Sequence, residues 1–355
     1  MTDFLSKIQG EVPQNSAVIL ESPANTFYLT GLKDNEGAVI IMPHKACFLV
    51  DFRYYEAAKN TAKDFDVILF DDLFKSINEI LKAGAVKTVY AENDYISLSR
   101  YNIYKQKLAD CVISGDGFAG RLLKKYRECK SEAEIEKIKA AQQITDKTFD
   151  YILGKIKPGK TEIEIMLDME FYLRKLGSDG VSFPFIVVSG KNTSLPHGVP
   201  TSKPIQKGDF VTMDFGAVVD GYRSDMTRTV AVGKPTAEQI KVYNTVLCAQ
   251  EKALEIIKSG AKCSDIDKVA RDYIYDNGYK GCFGHGLGHG VGVEIHEAPS
   301  LSPRYVETLK PGMVVTVEPG IYLNNKFGVR IEDMVIITDD GAENITKSPK
   351  ELIIL

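Results

Sequence analysis

Gly284-His285-Gly286-Leu287-Gly288-His289-Gly290-Val291-Gly292-Val293-Glu294-Ile295-His296 holds three of the chain's five histidines, with glycine at every second place through its first half. Glycine at this density costs a helix about 1 kcal/mol per residue, so the stretch reads as an extended segment or tight loop. A period of two turns His285 and His289 to one side and leaves the other side bare. A bare side implies that backbone or ligand lies close against it. A glycine-rich turn with a few hydrogen-bonding histidines has the same pattern, so the decision rests on the acids that flank the stretch in sequence.

Upstream, Phe210–Val219 and Tyr222–Val230 are β-rich runs separated by Asp220-Gly221, the strongest short-range hairpin signal. If those two residues are the turn, Val219 faces Tyr222 and Asp214 lies opposite Thr227. Asp225 is then Asp214's diagonal neighbour on the same face. Aspartate is depleted in strands and adjacent carboxylates repel, so the pair implies a cation. Downstream, Glu318 ends the apolar run Val314–Val317, and Glu332 lies inside Gly328–Ile337. A three-residue loop at Asn324-Asn325-Lys326 puts Glu318 opposite Glu332, with Arg330 on their face. A two-residue loop puts the glutamates on opposite faces. Arg223, Arg228 and Arg330 do not obviously neutralise four buried acids. Asp214, Asp225, Glu318, Glu332 and His289 together suit two divalent cations. The oxygen-rich donor set points to Mn²⁺, with Co²⁺, Fe²⁺ or Zn²⁺ as alternatives. Two such ions support hydrolysis by the two-metal route.

The rest of the chain frames this site. A length of 355 residues suggests two domains. Residues 1–122 alternate short strands (17–20, 37–42, 47–51, 66–70, 87–91) with helical patterns, a small α/β domain without a phosphate-binding glycine motif. Gly115–Gly120 reads as a linker, and residues 123–355 form the second domain. Helix starts are marked at Ser131-Glu132-Ala133-Glu134, Thr161-Glu162-Ile163-Glu164, Thr236-Ala237-Glu238-Gln239 and Ser264-Asp265-Ile266-Asp267. Long helix, short loop, second helix and β-structure recur twice, which implies two related halves with helices outside an antiparallel sheet. A net charge of −4 argues against nucleic acid as a partner. No apolar run approaches the ~18 residues of a membrane span. The amino terminus has no leader pattern, and the six cysteines are scattered without metal-ligand spacing. Both point to a cytoplasmic protein with reduced, mostly buried thiols.

Met213-Asp214-Phe215-Gly216, Ser224-Asp225-Met226-Thr227-Arg228-Thr229, Gly286-Leu287-Gly288-His289, Val317-Glu318-Pro319-Gly320 and Val329-Arg330-Ile331-Glu332-Asp333 resemble, in order, the five metal-ligand motifs of the pita-bread metallopeptidases. That family includes methionine aminopeptidase, aminopeptidase P and prolidase. Creatinase shares the fold but not the ligands. The amino-terminal α/β domain is similar to the creatinase-like domain of aminopeptidase P and prolidase. Ser189–Gly198, with His197, resembles the Xaa-Pro branch. The resemblance implies an α+β pita-bread catalytic domain whose metals are held by Asp214, Asp225, His289, Glu318 and Glu332. It further implies that His197, His296 and Arg330 assist catalysis, that His197, His285 and His296 line the substrate site, and that Glu318 is also the general base. The implied substrates are proline-containing peptides, and the implied assembly is a homodimer. The short turn after Glu318, and Arg304 as the single anchor for a carboxylate after His296, favour an Xaa-Pro aminopeptidase. The alternative is an Xaa-Pro dipeptidase; a non-enzymatic relative that binds partners should have lost ligands.

Overall fold

The computed structural model describes residues 2–33 and 35–355. The chain divides into two compact units, Met1–Tyr126 and Arg127–Leu355. In the first, α1 (Thr2–Glu11), β1 (Ser16–Leu20), α2 (Pro23–Thr30), β2 (Gly37–Met42), β3 (Lys45–Val50), α3 (Tyr55–Thr61), β4 (Asp66–Leu69), α4 (Leu73–Ala83), β5 (Thr88–Ala91), α5 (Leu98–Lys107), β6 (Val112–Ser114) and α6 (Phe118–Glu128) follow one another. The strands form one mixed sheet in the order β4-β3-β2-β1-β5-β6. Alternate residues serve opposite faces. Val18, Leu20, Val39, Ile41 and Phe48 share a core with Leu5 and Ile8 of α1, Ala58 of α3 and Leu122 and Leu123 of α6. Ala17, Ile19, Ile40, Cys47 and Leu49 pack with Ile77 and Leu81 of α4 and Tyr104 of α5. Burial on both faces explains why these strands are almost uniformly apolar. Met42 pairs with Lys45, so Pro43-His44 alone make that turn, and His44 is exposed.

Gly115–Gly120 is not a linker. It leads into α6, whose Ala119, Leu122 and Leu123 are buried in the first unit's core. Nor are the cysteines mostly buried: all six are free, but only Cys47 and Cys263 are fully enclosed. No helix among the described residues is long and apolar enough to cross a membrane.

The second unit continues with α7 (Glu132–Leu153), α8 (Glu162–Lys175), β7 (Gly180–Val181), β8 (Ile186–Ser189), β9 (Phe210–Phe215), β10 (Ala217–Val219), β11 (Tyr222–Arg223) and β12 (Met226–Ala231). Then come α9 (Ala237–Ile256), α10 (Cys263–Ile274), β13 (Gly288–Gly290), β14 (Glu297–Leu301), β15 (Val314–Val317), β16 (Gly320–Leu323), β17 (Phe327–Arg330), β18 (Asp333–Ile337) and β19 (Ala342–Asn344). Every strand pair in this unit is antiparallel. Phe149, Ile152, Ile165, Met169 and Leu173 of α7 and α8 pack on Val187, Val211, Met213 and Met226. Val242, Val246, Ala249, Ile266 and Ala270 of α9 and α10 pack on Val315, Val317, Val329 and Val335. Each half is thus two helices on an antiparallel sheet.

Reciprocal capping boxes start α7 at Ser131, α8 at Thr161 and α9 at Thr236, each satisfying donors that would otherwise cost about 1 kcal/mol. The fourth start differs. α10 begins at Cys263 after Lys262, without a side-chain cap, and Ser264 lies inside the helix. The repeat therefore aligns Cys263, not Asp265, with Glu162. The backbone agrees: Gly159 and Gly260 both have positive φ, Glu162 N donates to Lys203 O, and Cys263 N donates to Glu307 O.

Candidate metal centre

The sheet of the second unit presents its acids through two hairpins. Val219 pairs with Tyr222 and Asp214 with Thr227, one register closed by Asp220-Gly221 at φ 48° and 78°. Positive φ at both central residues defines the type I′ turn that matches strand twist. That register puts Asp225 opposite Gly216, diagonal to Asp214 on one face. A Cβ on Gly216 would lie 1.9 Å from Ser224 O, so no larger residue fits there. In the second hairpin Leu323 pairs with Phe327, and Asn324-Asn325-Lys326 form the three-residue loop. The same register continues in Val317 and Asp333, which leaves Glu318 opposite Glu332.

The glycine-rich stretch lies against backbone. Added Cβ atoms at Gly288 and Gly290 would come within 2.0 Å of Thr316 O and 2.3 Å of Ala298 O. Close packing on that side turns His285 and His289 toward a cleft of about 1020 Å³. His289 Nδ1 lies 3.1 Å from Gly290 O, and a carbonyl can only accept, so Nδ1 carries the hydrogen. The Nε2 lone pair then points at Asp225 Oδ2 (3.5 Å) and Glu318 Oε1 (3.4 Å). By the same argument His285 Nδ1 donates to Gly286 O, and its Nε2 accepts from the Tyr322 hydroxyl at 2.9 Å.

Donor atoms of Asp225, His289 and Glu332 lie within 4.8 Å of one another. Asp214 Oδ1, Asp225 Oδ1 and Glu332 Oε1 are buried with no hydrogen-bond partner among the described residues. Unpaired buried carboxylate oxygens are costly, and those of Asp225 and Glu332 beside His289, with Asp214 lining the same cleft, fit a cation. Burial, reinforced by Glu332, Asp214 and Glu318, holds Asp225 well above the carboxylate range. Burial and then Glu318 and Asp214 do the same to Glu332. Burial pushes Glu318 up to about 8 against the pull of Arg330. Protein cations therefore do not neutralise the cluster, whereas bound divalent ions favour the ionised acids. His289 is held at about 4 by burial and by His296, which keeps the imidazole in its neutral, ligating form.

Asp214, Asp225, His285, His289, Glu318, Arg330 and Glu332 all line the cleft, as do His197 and His296 at its exposed side. The His289 and His296 rings meet edge to face with centroids 4.4 Å apart. Arg330 is only 4 % exposed. It donates to Asp214 Oδ2, Thr227 Oγ1, the Tyr322 hydroxyl and Pro196 O. Of the other two arginines weighed above, Arg228 pairs with Asp333, and Arg223 donates to the backbone of Ser182 and Val293. Arg304 is exposed and does not line the cleft.

Sequence reasoning missed the residues that orient these acids and histidines. Thr227 Oγ1 donates to Glu332 Oε2 at 2.7 Å while accepting from Arg330 Nε. Thr316 Oγ1 accepts from His289 N and donates to Glu318 Oε1. Tyr322 joins His285 to Arg330. Thr227 could have been found as the residue opposite Asp214, and Thr316 as the one two before Glu318 on the same face.

A family model for metallopeptidase family M24 matches residues 136–339, and one for the creatinase/prolidase N-terminal domain matches residues 13–128. An Xaa-Pro dipeptidase of Pyrococcus furiosus is 38% identical, over 99% of this chain and 100% of its own. Among solved structures, an Xaa-Pro dipeptidase from Bacillus anthracis matches with a TM-score of 0.96 at 40% identity, covering 100% of both chains. An X-Pro aminopeptidase from Thermotoga maritima matches with a TM-score of 0.89 at 36% identity, over 96% of this chain and 97% of its own.

Proposed function

This chain belongs to metallopeptidase family M24, and from that premise we propose that it is an Xaa-Pro dipeptidase whose two divalent ions are held by Asp214, Asp225, His289, Glu318 and Glu332. The observation that carries the metal reading is the convergence of Asp225, His289 and Glu332, both acids having a buried oxygen without a hydrogen-bond partner among the described residues. Oxygen-rich donors favour Mn²⁺. Bound there, the ions supply a nucleophile at neutral pH and polarise the scissile carbonyl.

The chain's own residues do the rest. A Glu318 carboxylate oxygen takes the proton of the attacking water and returns it to the leaving proline nitrogen. His296, at the exposed side of the cleft, donates to the oxyanion of the tetrahedral intermediate. His197 contacts the scissile region from the opposite loop, and His285, fixed by Tyr322, lines the pocket. Arg330 acts on Asp214, keeping one carboxylate oxygen engaged so that the other faces the cleft. Proline's tertiary amide offers no N–H, so selection for it rests on the shape of the cleft.

The dipeptidase form takes support from the Pyrococcus and Bacillus relatives, and it replaces the aminopeptidase that the short loops favoured. Arg304 does not line the cleft, so it is not the anchor for a dipeptide's free carboxylate. Leu167 and Phe171, 55% and 70% exposed on α8, form an apolar stripe that supports a homodimer. The test compares an Xaa-Pro dipeptide with an Xaa-Pro-Xaa tripeptide on the Mn²⁺-loaded protein. Preference for the dipeptide is expected; preference for the tripeptide returns the aminopeptidase, and cleavage of neither removes the Xaa-Pro reading.

A further inference from the structure

Glu162 is the first residue of α8 and is 0% exposed, yet no cationic side chain pairs with it among the described residues. Its partners come from the two ends of one loop. Oε1 accepts from Ser189 N (2.7 Å), Ser189 Oγ (2.9 Å) and Asn192 Nδ2 (3.1 Å). Oε2 accepts from Thr201 N (3.0 Å) and Thr201 Oγ1 (2.6 Å). A single carboxylate therefore draws Ser189, at the end of β8, together with Thr201. The chain between them, 190–200, carries His197.

The loop has inner anchors as well. Thr193 Oγ1 accepts from Gly328 N at 2.8 Å, and Pro196 O accepts from Arg330 Nη1 at 3.3 Å. A Cβ on Gly328 would lie 2.3 Å from Thr193 O, so β17 and the loop touch backbone to backbone. The His197 ring itself has no hydrogen-bond partner among the described residues, and its place in the cleft is set by the loop that bears it. Five donors of the loop thus converge on one buried carboxylate.

We propose that Glu162 is a positioning residue: its carboxylate clasps the base of the 190–200 loop and so places His197 over the substrate. This deepens the peptidase reading and rests on it for its kinetic consequence only. The second half has no counterpart, because the aligned residue is Cys263 and the segment bearing His285 is tied instead by Asp267 and Arg271.

Glu162→Gln keeps the size of the side chain but replaces one acceptor with a donor that must face other donors. Hydrogen exchange of the Mn²⁺-loaded variant, a readout independent of activity, should show amides of 189–201 exchanging at least ~10-fold faster, with β9 and α9 unchanged. Unchanged protection of 189–201 would overturn the clasp. Peptide hydrolysis should fall by ~10²-fold, the scale expected when a reacting group is misplaced by about an ångström. Adding His197→Ala to Glu162→Gln should then cost little more, although His197→Ala alone costs much. Full additivity of the two, at unchanged metal content, would mean that Glu162 serves the fold and not His197. Should Glu162→Gln fail to fold, Thr201→Val removes one clasp donor from the loop side and should move both readouts in the same direction. If the native protein cleaves no Xaa-Pro peptide, the function reading fails, and exchange still decides the clasp.

Discussion

In the first half of residues 127–355, Asp214 and Asp225 sit diagonally across a hairpin closed by two residues; in the second, Glu318 and Glu332 face each other across one closed by three. The diagonal arrangement frees the place opposite Asp214 for Thr227, and Thr227 donates to Glu332 of the other half. Arg330 returns the exchange by donating to Asp214. Glu332 N also donates to Thr227 O. Each half's acids are therefore oriented by the other half, so neither hairpin alone builds the centre. The histidines divide as well: His285 and His289 are fixed to backbone carbonyls, whereas His197 of the first half, like His296 of the second, stands exposed outside the strands.

The largest effect should come from removing one ligand in either half. Asp225→Ala and Glu332→Ala should each abolish turnover and metal retention together, because each deletes a donor and leaves its neighbours repelling. Metal content after gel filtration, measured beside Xaa-Pro hydrolysis, tests this. An Asp225→Ala protein with two metals and full activity would sink the idea that both halves contribute ligands.

Next in size is the histidine on the loop. His197→Ala should lower the rate by ~10²–10⁴-fold, the range of a proton-transfer or positioning group, while the metals stay bound. Loss of metal in this variant would mean that the loop supports the ligands and that the division between the two kinds of histidine is wrong.

That division shows where sequence reasoning ran out. The acids were legible because an Asp-Gly turn fixes register and a period of two then fixes faces. The glycine-rich stretch was legible because glycine without an evident turn implies close contact. The places of Thr227 and Thr316 followed from register and period, but their partners, like those of Tyr322 and Glu162, are identified by no local pattern. Thr227 reaches Glu332 across 105 residues, and Arg330 reaches Asp214 across 116. The start of α10 was misread because Ser264-Asp265 imitates a cap, while Asp267 is engaged with Arg271 and Leu287 N. The supposed linker at Gly115–Gly120 failed because glycine content alone does not distinguish a tether from the approach to a buried helix.

A stability effect should separate the halves further. Asp333, next to Glu332, is fully buried, accepts from Arg228, Gln250 and Asn344, and forms an ion pair with Lys350. Burial opposes its charge, but Arg228 and Lys350 outweigh burial, and its pKa lies below the ordinary value. A depressed carboxylate pKa contributes stability above the unfolded value near ~3.9, and that contribution is lost as pH falls through the folded value. Asp333→Ala should cost about 3–5 kcal/mol at neutral pH, because Arg228 is left charged and buried. Denaturant unfolding at neutral pH measures the loss, and the gap between native and variant should narrow below about pH 4. A gap that does not change with pH would show that the cost is one of packing.

The smallest effect belongs to the two turns. Gly221 has φ 78° and Asp220 φ 48° in the first hairpin, and Asn325 has φ 58° in the second. A side chain in the left-handed region costs about 1–2 kcal/mol, except that asparagine and aspartate visit it more readily. Gly221→Ala should therefore lower stability by about 1–2 kcal/mol, whereas Asn325→Gly, already compatible, should change it by only a few tenths. Hydrolysis should follow the same asymmetry. Asp225 lies four residues beyond Gly221, and a one-residue slip at the two-residue turn moves it to the other face. The three-residue loop has Gly320–Leu323 and Phe327–Arg330 paired between itself and the glutamates, which insulates them. Equal losses of activity in the two variants, with stability matched by temperature, would show that register is held by the sheet and not by the turns.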